Sequence, residues 1–208
     1  MTPLLRHPGV FVTGTDTEVG KTLVSAGLTD LAVAAGRRTA VMKPVAAGCE
    51  DTPSGPRNDD ALTLIARSNV SVDYATVNPY ALRLPIAPHL AARQAGTTIE
   101  AEVLDAAFRH LRGKSDFVVV EGAGGFLVPL APGFDLGDLA QRLGLPLILV
   151  VGLRLGCLNH ALLSVEAIAA RGLPLAGWIG SSIDPDFACA EENVATLKML
   201  IAAPCLGI

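Results

Sequence analysis

The chain is poor in lysine and in aromatic side chains. Lys21, Lys43, Lys114 and Lys198 are its only lysines, and aromatic residues fill 4% of its 208 positions. So few cations, in a chain of formal net charge −4, argue against a general nucleic-acid footprint or a polybasic membrane surface; any polyanion must be held locally. The four cysteines, Cys49, Cys157, Cys189 and Cys205, show neither CxxC spacing nor clustering with the histidines. No zinc site or disulfide framework is indicated, and reduced thiols in a cytoplasmic protein are the expectation. No charged leader opens the chain, and no run approaches the roughly 18 uninterrupted apolar residues of a membrane span, so a soluble protein is expected.

What is abundant is aliphatic. Half of the residues are apolar, and the length suits one domain over residues 1–208 with a sizeable core. A core of Ala, Val, Leu, Ile and Gly fits parallel strands covered by helices on both faces. Apolar runs of strand length occur at Val10–Val12, Thr39–Met42, Phe117–Val120, Leu147–Val151 and Leu175–Ile179. Between them, three- and four-residue apolar spacing predicts helices over Leu23–Ala35, Asp60–Arg67, Glu100–Leu111, Leu136–Leu143, Leu158–Ala170 and Glu191–Ile201. Strand alternating with helix implies an α/β domain with a mostly parallel central sheet flanked by helices, and ligands at the carboxyl ends of its strands. Asn78–Ala95, with three prolines, reads as a loop leading into a short helix that Pro88 starts, and Glu50–Asn58 reads as a polar loop.

The first strand end carries the most specific signal. The segment Gly14-Thr15-Asp16-Thr17-Glu18-Val19-Gly20-Lys21-Thr22 turns from an apolar run into a helical pattern. That order presents backbone N–H groups, a helix dipole and one ammonium to the phosphates of a nucleotide, as in P-loop NTPases. Five residues separate Gly14 from Gly20, so Thr15 stands where the strict pattern has its first glycine. Lys21 is expected to bridge the β- and γ-phosphates of ATP, and the Thr22 hydroxyl to ligate Mg²⁺.

Other strand ends add chemistry. Lys43 follows Ala40-Val41-Met42; alone it reads as a surface lysine, but beside a phosphate loop it is a second cation for a transferring phosphoryl group. Glu121 ends Phe117–Val120 and precedes Gly122-Ala123-Gly124-Gly125, a place suited to a carboxylate serving Mg²⁺ next to backbone that a ligand can approach closely. Asp59-Asp60 precedes a helix, where one carboxylate either caps it or serves as the second metal carboxylate; spacing leaves both readings open. Asn159 in Cys157-Leu158-Asn159-His160 is a cap or a ligand donor, and His160 is left out of the chemistry.

GTDTEVGKT at 14–22, KPVAAG at 43–48, RNDDAL at 57–62, DYATVNPY at 73–80, VEGAGG at 120–125, GCLNHA at 156–161 and AGW at 176–178, in this order, resemble dethiobiotin synthetase. The resemblance implies a cytoplasmic homodimer that uses ATP and Mg²⁺ to close a cyclic urea on 7,8-diaminononanoate with CO₂. It implies that Thr15, Asp16, Thr17, Glu18, Val19, Gly20 and Lys21 hold the phosphates, and that Thr22, Asp60 and Glu121 surround Mg²⁺. Lys21 and Lys43 would be the catalytic cations, with Lys43, Thr17, Ala47, Gly124 and Gly125 near the diamine and Asn159 reaching it from a partner subunit. Three departures stand out: Ala47 where many members have Ser, Ser181 where some carry an Asn that reads adenine, and an end at Cys205-Leu206-Gly207-Ile208 where members usually continue. The last is either a natural short form or a truncation. Two rival classes are a nucleotide-driven switch or partitioning ATPase, which needs no small-molecule cavity, and an amidotransferase-type synthetase, whose glutaminase domain does not fit this length.

Overall fold

The computed structural model describes residues 3–208. Strand β1 (Gly9–Gly14) leads through the phosphate loop into α1 (Lys21–Ala34), then β2 (Thr39–Met42) and β3 (Val45–Ala47). A hairpin of β4 (Glu50–Thr52) and β5 (Gly55–Arg57) precedes α2 (Asp59–Arg67), the short α3 (Tyr74–Val77), β6 (Tyr80–Leu82), α4 (Pro88–Gln94) and α5 (Ala101–Lys114). Then come β7 (Phe117–Gly125), a second hairpin of β8 (Pro129–Ala131) and β9 (Phe134–Asp135), α6 (Leu136–Leu143), β10 (Leu147–Leu153), α7 (Cys157–Ala170), β11 (Leu175–Ser182), α8 (Ala190–Leu200) and β12 (Cys205–Gly207).

Six strands form one sheet in the order β12-β11-β10-β1-β7-β2, and every pairing in it is parallel. Alternation along the central strands feeds two cores. Val10, Val12, Val41, Phe117 and Val119 pack against Ala26, Leu28 and Ala32 of α1 and Leu64 of α2. Phe11, Met42, Val118 and Val120 face the other way, onto Leu104 and Leu111 of α5 and Leu136 and Leu139 of α6. Strands buried on both faces are what the unbroken aliphatic runs require. A third cluster sets Leu149, Val151 and Trp178 against Cys157 and Ala161 of α7 and Leu197 of α8. Trp178 is fully buried.

The parity of β7 fixes the chemistry of the site. Side chains at 117 and 119 point toward α1, so the next residue on that face, Glu121, arrives beside the α1 N-terminus. Beyond it the pairing with β1 jumps from Val12 opposite Glu121 to Gly14 opposite Gly125, so β7 spends four residues where β1 spends two. The extra residues, among them Gly124 with φ +66°, bulge out of the ladder toward the ligand side.

Two expectations need correcting. Glu50–Asn58 is mostly the β4–β5 hairpin, and Asn78–Ala95 holds β6, paired parallel to β3, as well as the helix begun by Pro88. Strands of three residues carry too little periodicity to stand out from polar loops. The capping role offered for Asp59 and Asp60 falls to a neighbour: the α2 cap is Asn58, whose side chain accepts from Ala61 N–H at 3.2 Å.

Candidate active site

The loop after β1 is tied down on all sides. Thr15 N–H donates to Val150 O at 2.9 Å, and the Thr15 hydroxyl accepts from Gly152 N–H at 3.3 Å. Asp16 accepts from Thr17 N–H at 2.8 Å through one carboxylate oxygen and from Arg154 at 2.5 Å through the other. Val19 turns its side chain into the core, where a Cβ on Gly152 would come within 2.8 Å of it, so this residue has only its backbone to offer a ligand. Gly20, at φ 87°, is the α1 cap without a side-chain bond, and Glu18 holds a left-handed φ of 58° at the loop crest. Together they leave the first N–H groups of α1 facing open space, the arrangement that receives phosphate.

Lys21 is only 6% exposed and folds back onto its own loop, donating to Asp16 O at 2.6 Å. Burial, reinforced by the nearby charge of Lys43, lowers its pKa to about 8. A polyphosphate bound here would supply further counter-charge.

Lys43 is not a surface lysine. It is 4% exposed and donates to Asp60 Oδ2 at 2.8 Å and to Glu121 Oε1 at 2.5 Å. Burial alone would depress its pKa, but the Glu121 and Asp60 carboxylates outweigh it and hold the ammonium above its ordinary value. Burial would likewise raise Asp60, and Lys43 beside it brings it below its ordinary value instead. Glu121 is fully buried, and the same Oε1 accepts from the Thr22 hydroxyl at 3.0 Å. Its Oε2 has no hydrogen-bond partner among the described residues. A hydroxyl and two carboxylates, one of them with an unpartnered oxygen, form a hard-oxygen donor set suited to Mg²⁺.

These groups floor a cavity of about 970 Å³. Of the residues singled out in the sequence, Thr17, Glu18, Gly20, Lys21, Thr22, Lys43, Ala47, Asp60, Glu121 and Gly124 line it. Thr15, Asp16 and Val19 support the loop from behind. Gly125 sits in the ladder opposite Gly14 rather than on the wall. Ser181 lies across the loop, where a Cβ on Gly20 would come within 2.6 Å of its hydroxyl. Asn159 is exposed on the first turn of α7 and does not cap that helix, whose cap is Gly156. Sequence reasoning missed Arg154, although it follows an apolar strand at the ligand edge, and the apolar rim of Pro85, Ile86, Pro88 and Pro129, which lies in segments without periodicity.

A parallel sheet whose first strand turns through a lysine-bearing loop into a helix, with a buried acidic strand end beside it, defines a P-loop nucleotide-binding protein. The solved structures agree on the fold. The signal recognition particle receptor FtsY from Elizabethkingia anophelis superposes with a TM-score of 0.57 at 14% identity over 96% of this chain and 58% of that one. The MinC:MinD cell division protein complex of Aquifex aeolicus gives 0.58 at 15% identity over 95% and 79%. A family model described as an AAA domain matches residues 8–208. ATP-dependent dethiobiotin synthetase BioD of Pseudomonas paraeruginosa is 54% identical over 201 residues, covering 96% of this chain and 88% of the relative. The protein of the same name from Chromohalobacter salexigens is 57% identical over 210 residues, covering 95% and 87%. That of Xanthomonas euvesicatoria is 51% identical over 203 residues, covering 98% and 91%. The chain belongs to the dethiobiotin synthetase family.

Proposed function

We propose that the chain is the ATP-dependent ligase that carboxylates 7,8-diaminononanoate and closes its ureido ring, giving dethiobiotin, ADP and phosphate. The observation that carries this reading is the cluster of Lys43, Glu121, Thr22 and Asp60 on the floor of a cavity whose rim is apolar. The floor suits phosphoryl transfer and the rim suits an alkyl diamine, a pairing that a nucleotide switch has no use for.

One amine of the substrate adds to CO₂ as a carbamate. A carbamate oxygen attacks the γ-phosphorus, ADP leaves, and the second amine attacks the carbamoyl carbon of the mixed anhydride and expels phosphate, each amine losing its protons to solvent. Lys21 swings from Asp16 O onto the triphosphate, while the loop N–H groups fix its oxygens. Thr22, Asp60 and Glu121 would hold Mg²⁺, which when bound supplies positive charge to the phosphate oxygens. Lys43 faces the carbamate and the departing phosphoryl group, where its ammonium meets the charge that builds there. Positioning and charge do the catalysis, without a covalent intermediate on the protein.

A second copy completes the reading. Asn159 and Leu163 are exposed one turn apart on α7, and Leu155 is exposed in the turn just before that helix. The exposed leucines on either side of Asn159 in the chain support a homodimer in which Asn159 reaches the neighbouring cavity. Among the described residues no helix is long and apolar enough to cross a membrane. A cytoplasmic location belongs to the same reading. The test is phosphate release from ATP with and without the diamine and bicarbonate. Release that requires both, one phosphate per ring closed, is expected; release independent of the diamine would favour the switch class.

A further inference from the structure

The two sides of the ion pair at Lys43 are joined a second time, through side chains far from the phosphate loop. Asn78, 2% exposed, donates from Nδ2 to the Lys43 carbonyl at 2.6 Å. Its Oδ1 accepts from the Tyr74 hydroxyl at 3.0 Å. That same hydroxyl accepts from Asn58 N–H at 2.8 Å, and Asn58 caps the helix whose first turn carries Asp60. Asp60 then accepts from Lys43 Nζ at 2.8 Å. The bonds close a ring: Lys43 ammonium, Asp60, the α2 cap, Tyr74, Asn78, Lys43 backbone. The Arg57 guanidinium stacks on the Tyr74 ring, 4.1 Å from its centroid, and helps hold the ring in place.

We infer that Tyr74 is a positioning residue for the phosphoryl-transfer end of the cavity, its hydroxyl holding the α2 cap and the β2 end at the separation that lets Asp60 and Lys43 act together. Apart from the ion pair itself, the hydroxyl makes the one link in the ring between the two sides: it is bonded to the backbone at the α2 cap and to a side chain seated on the Lys43 carbonyl just past β2. Removing it leaves both functional groups present and lets their spacing drift, and catalysis is steep in displacements of that size. The inference rests on the function proposed above.

The test is steady-state kinetics of Tyr74→Phe, which keeps the ring over Arg57, alone and in a Lys43→Ala background, with Tm measured for all four proteins. The expected result is a five- to tenfold loss of kcat, about the size of one hydrogen bond, with KM for ATP and diamine within about twofold. In the Lys43→Ala background the Phe substitution is expected to cost less than twofold in the residual kcat while lowering Tm as it does in the wild type, because most of the catalytic effect runs through the Lys43–Asp60 spacing. An unaltered kcat in the single variant, or an equal loss in both backgrounds, overturns the inference. A wild type that releases no phosphate with diamine and bicarbonate overturns the functional reading and this inference with it; an active wild type with an unaffected Phe variant overturns this inference alone.

Discussion

Lys43 Nζ and Glu121 Oε1 lie 2.5 Å apart in a place where Glu121 is wholly shielded and Lys43 nearly so. Removing one partner of such a pair strands a buried charge, at roughly 3–5 kcal/mol. Lys43→Met is therefore expected to lower the unfolding free energy of the ligand-free protein, measured by urea titration, by that order, and Lys43→Met with Glu121→Gln to recover most of it. A single variant that costs less than about 1 kcal/mol would show the pair to be stabilised by solvent instead. In turnover, Lys43→Ala should lower kcat far more than it raises KM, because the ammonium meets charge that develops in the transition state. A change confined to KM would reassign it to ground-state binding.

Lys21 works against the fold when charged. Its pKa is lowered to about 8 from 10.5, so between those values the unfolded chain keeps a proton that the folded chain has lost. Stability from this group therefore rises with pH across pH 8 to 10.5, and below pH 8 the charged form costs on the order of 3 kcal/mol. Lys21→Met should raise Tm at pH 7 and abolish turnover. ATP binding to the wild type should weaken above pH 8, where the ammonium must be reprotonated, by up to about tenfold per pH unit. Calorimetry in buffers of different ionisation heat measures the proton taken up. Normal turnover by folded Lys21→Met removes the residue from the site.

Glu121→Gln preserves shape and removes charge from the oxygen that has no partner. Mg²⁺ discriminates strongly in favour of anionic oxygen, so the Mg²⁺ concentration for half-maximal rate should rise about tenfold or more. An unchanged titration would make Glu121 a structural counter-ion of Lys43 only.

Ser181 sits over Gly20 with a single hydroxyl, where an asparagine would offer a donor and an acceptor together. Losing a bidentate base contact removes about 1–3 kcal/mol of discrimination. The expected preference for ATP over CTP or GTP is less than about tenfold in kcat/KM. A hundredfold preference would mean that backbone groups read the base.

Leu163 lies exposed one turn from Asn159. If α7 packs on a second copy, Leu163→Glu should yield monomers in sedimentation, and those monomers should show a raised KM for the diamine with little change for ATP. A wild type that sediments as a monomer at assay concentration would remove the dimer from the proposal.

Much of this arrangement was legible in the residues, and the reason is local. Thr39–Met42 and Leu136–Leu143 have the predicted bounds, because each is a run whose periodicity is broken by its own flanking residues. Strand β7 continues five residues past Val120, where glycines carry no pattern and only the ladder with β1 extends it. The phosphate loop declared itself through spacing. The buried setting of Lys43 did not, since a lysine at a strand end looks the same whether water or two carboxylates surround it. The Tyr74 ring of bonds was invisible for the same reason: residues 43, 58, 60, 74 and 78 meet only once β2, α2 and α3 are packed.

The sheet order has a consequence for how the protein comes into being. Strand β2 is an edge strand whose one neighbour is β7, and β1 sits between β7 and β10, so the strands that lead to Lys21 and Lys43 never pair with each other. A nascent chain that has passed Lys114 already carries the whole phosphate loop and the second cation, with no sheet partner for either. Pairings this distant in sequence are slow to close. Emergence of β7 joins the two strands and delivers Glu121 in the same event, so competence to hold a nucleotide should arise abruptly, at a defined length on the ribosome.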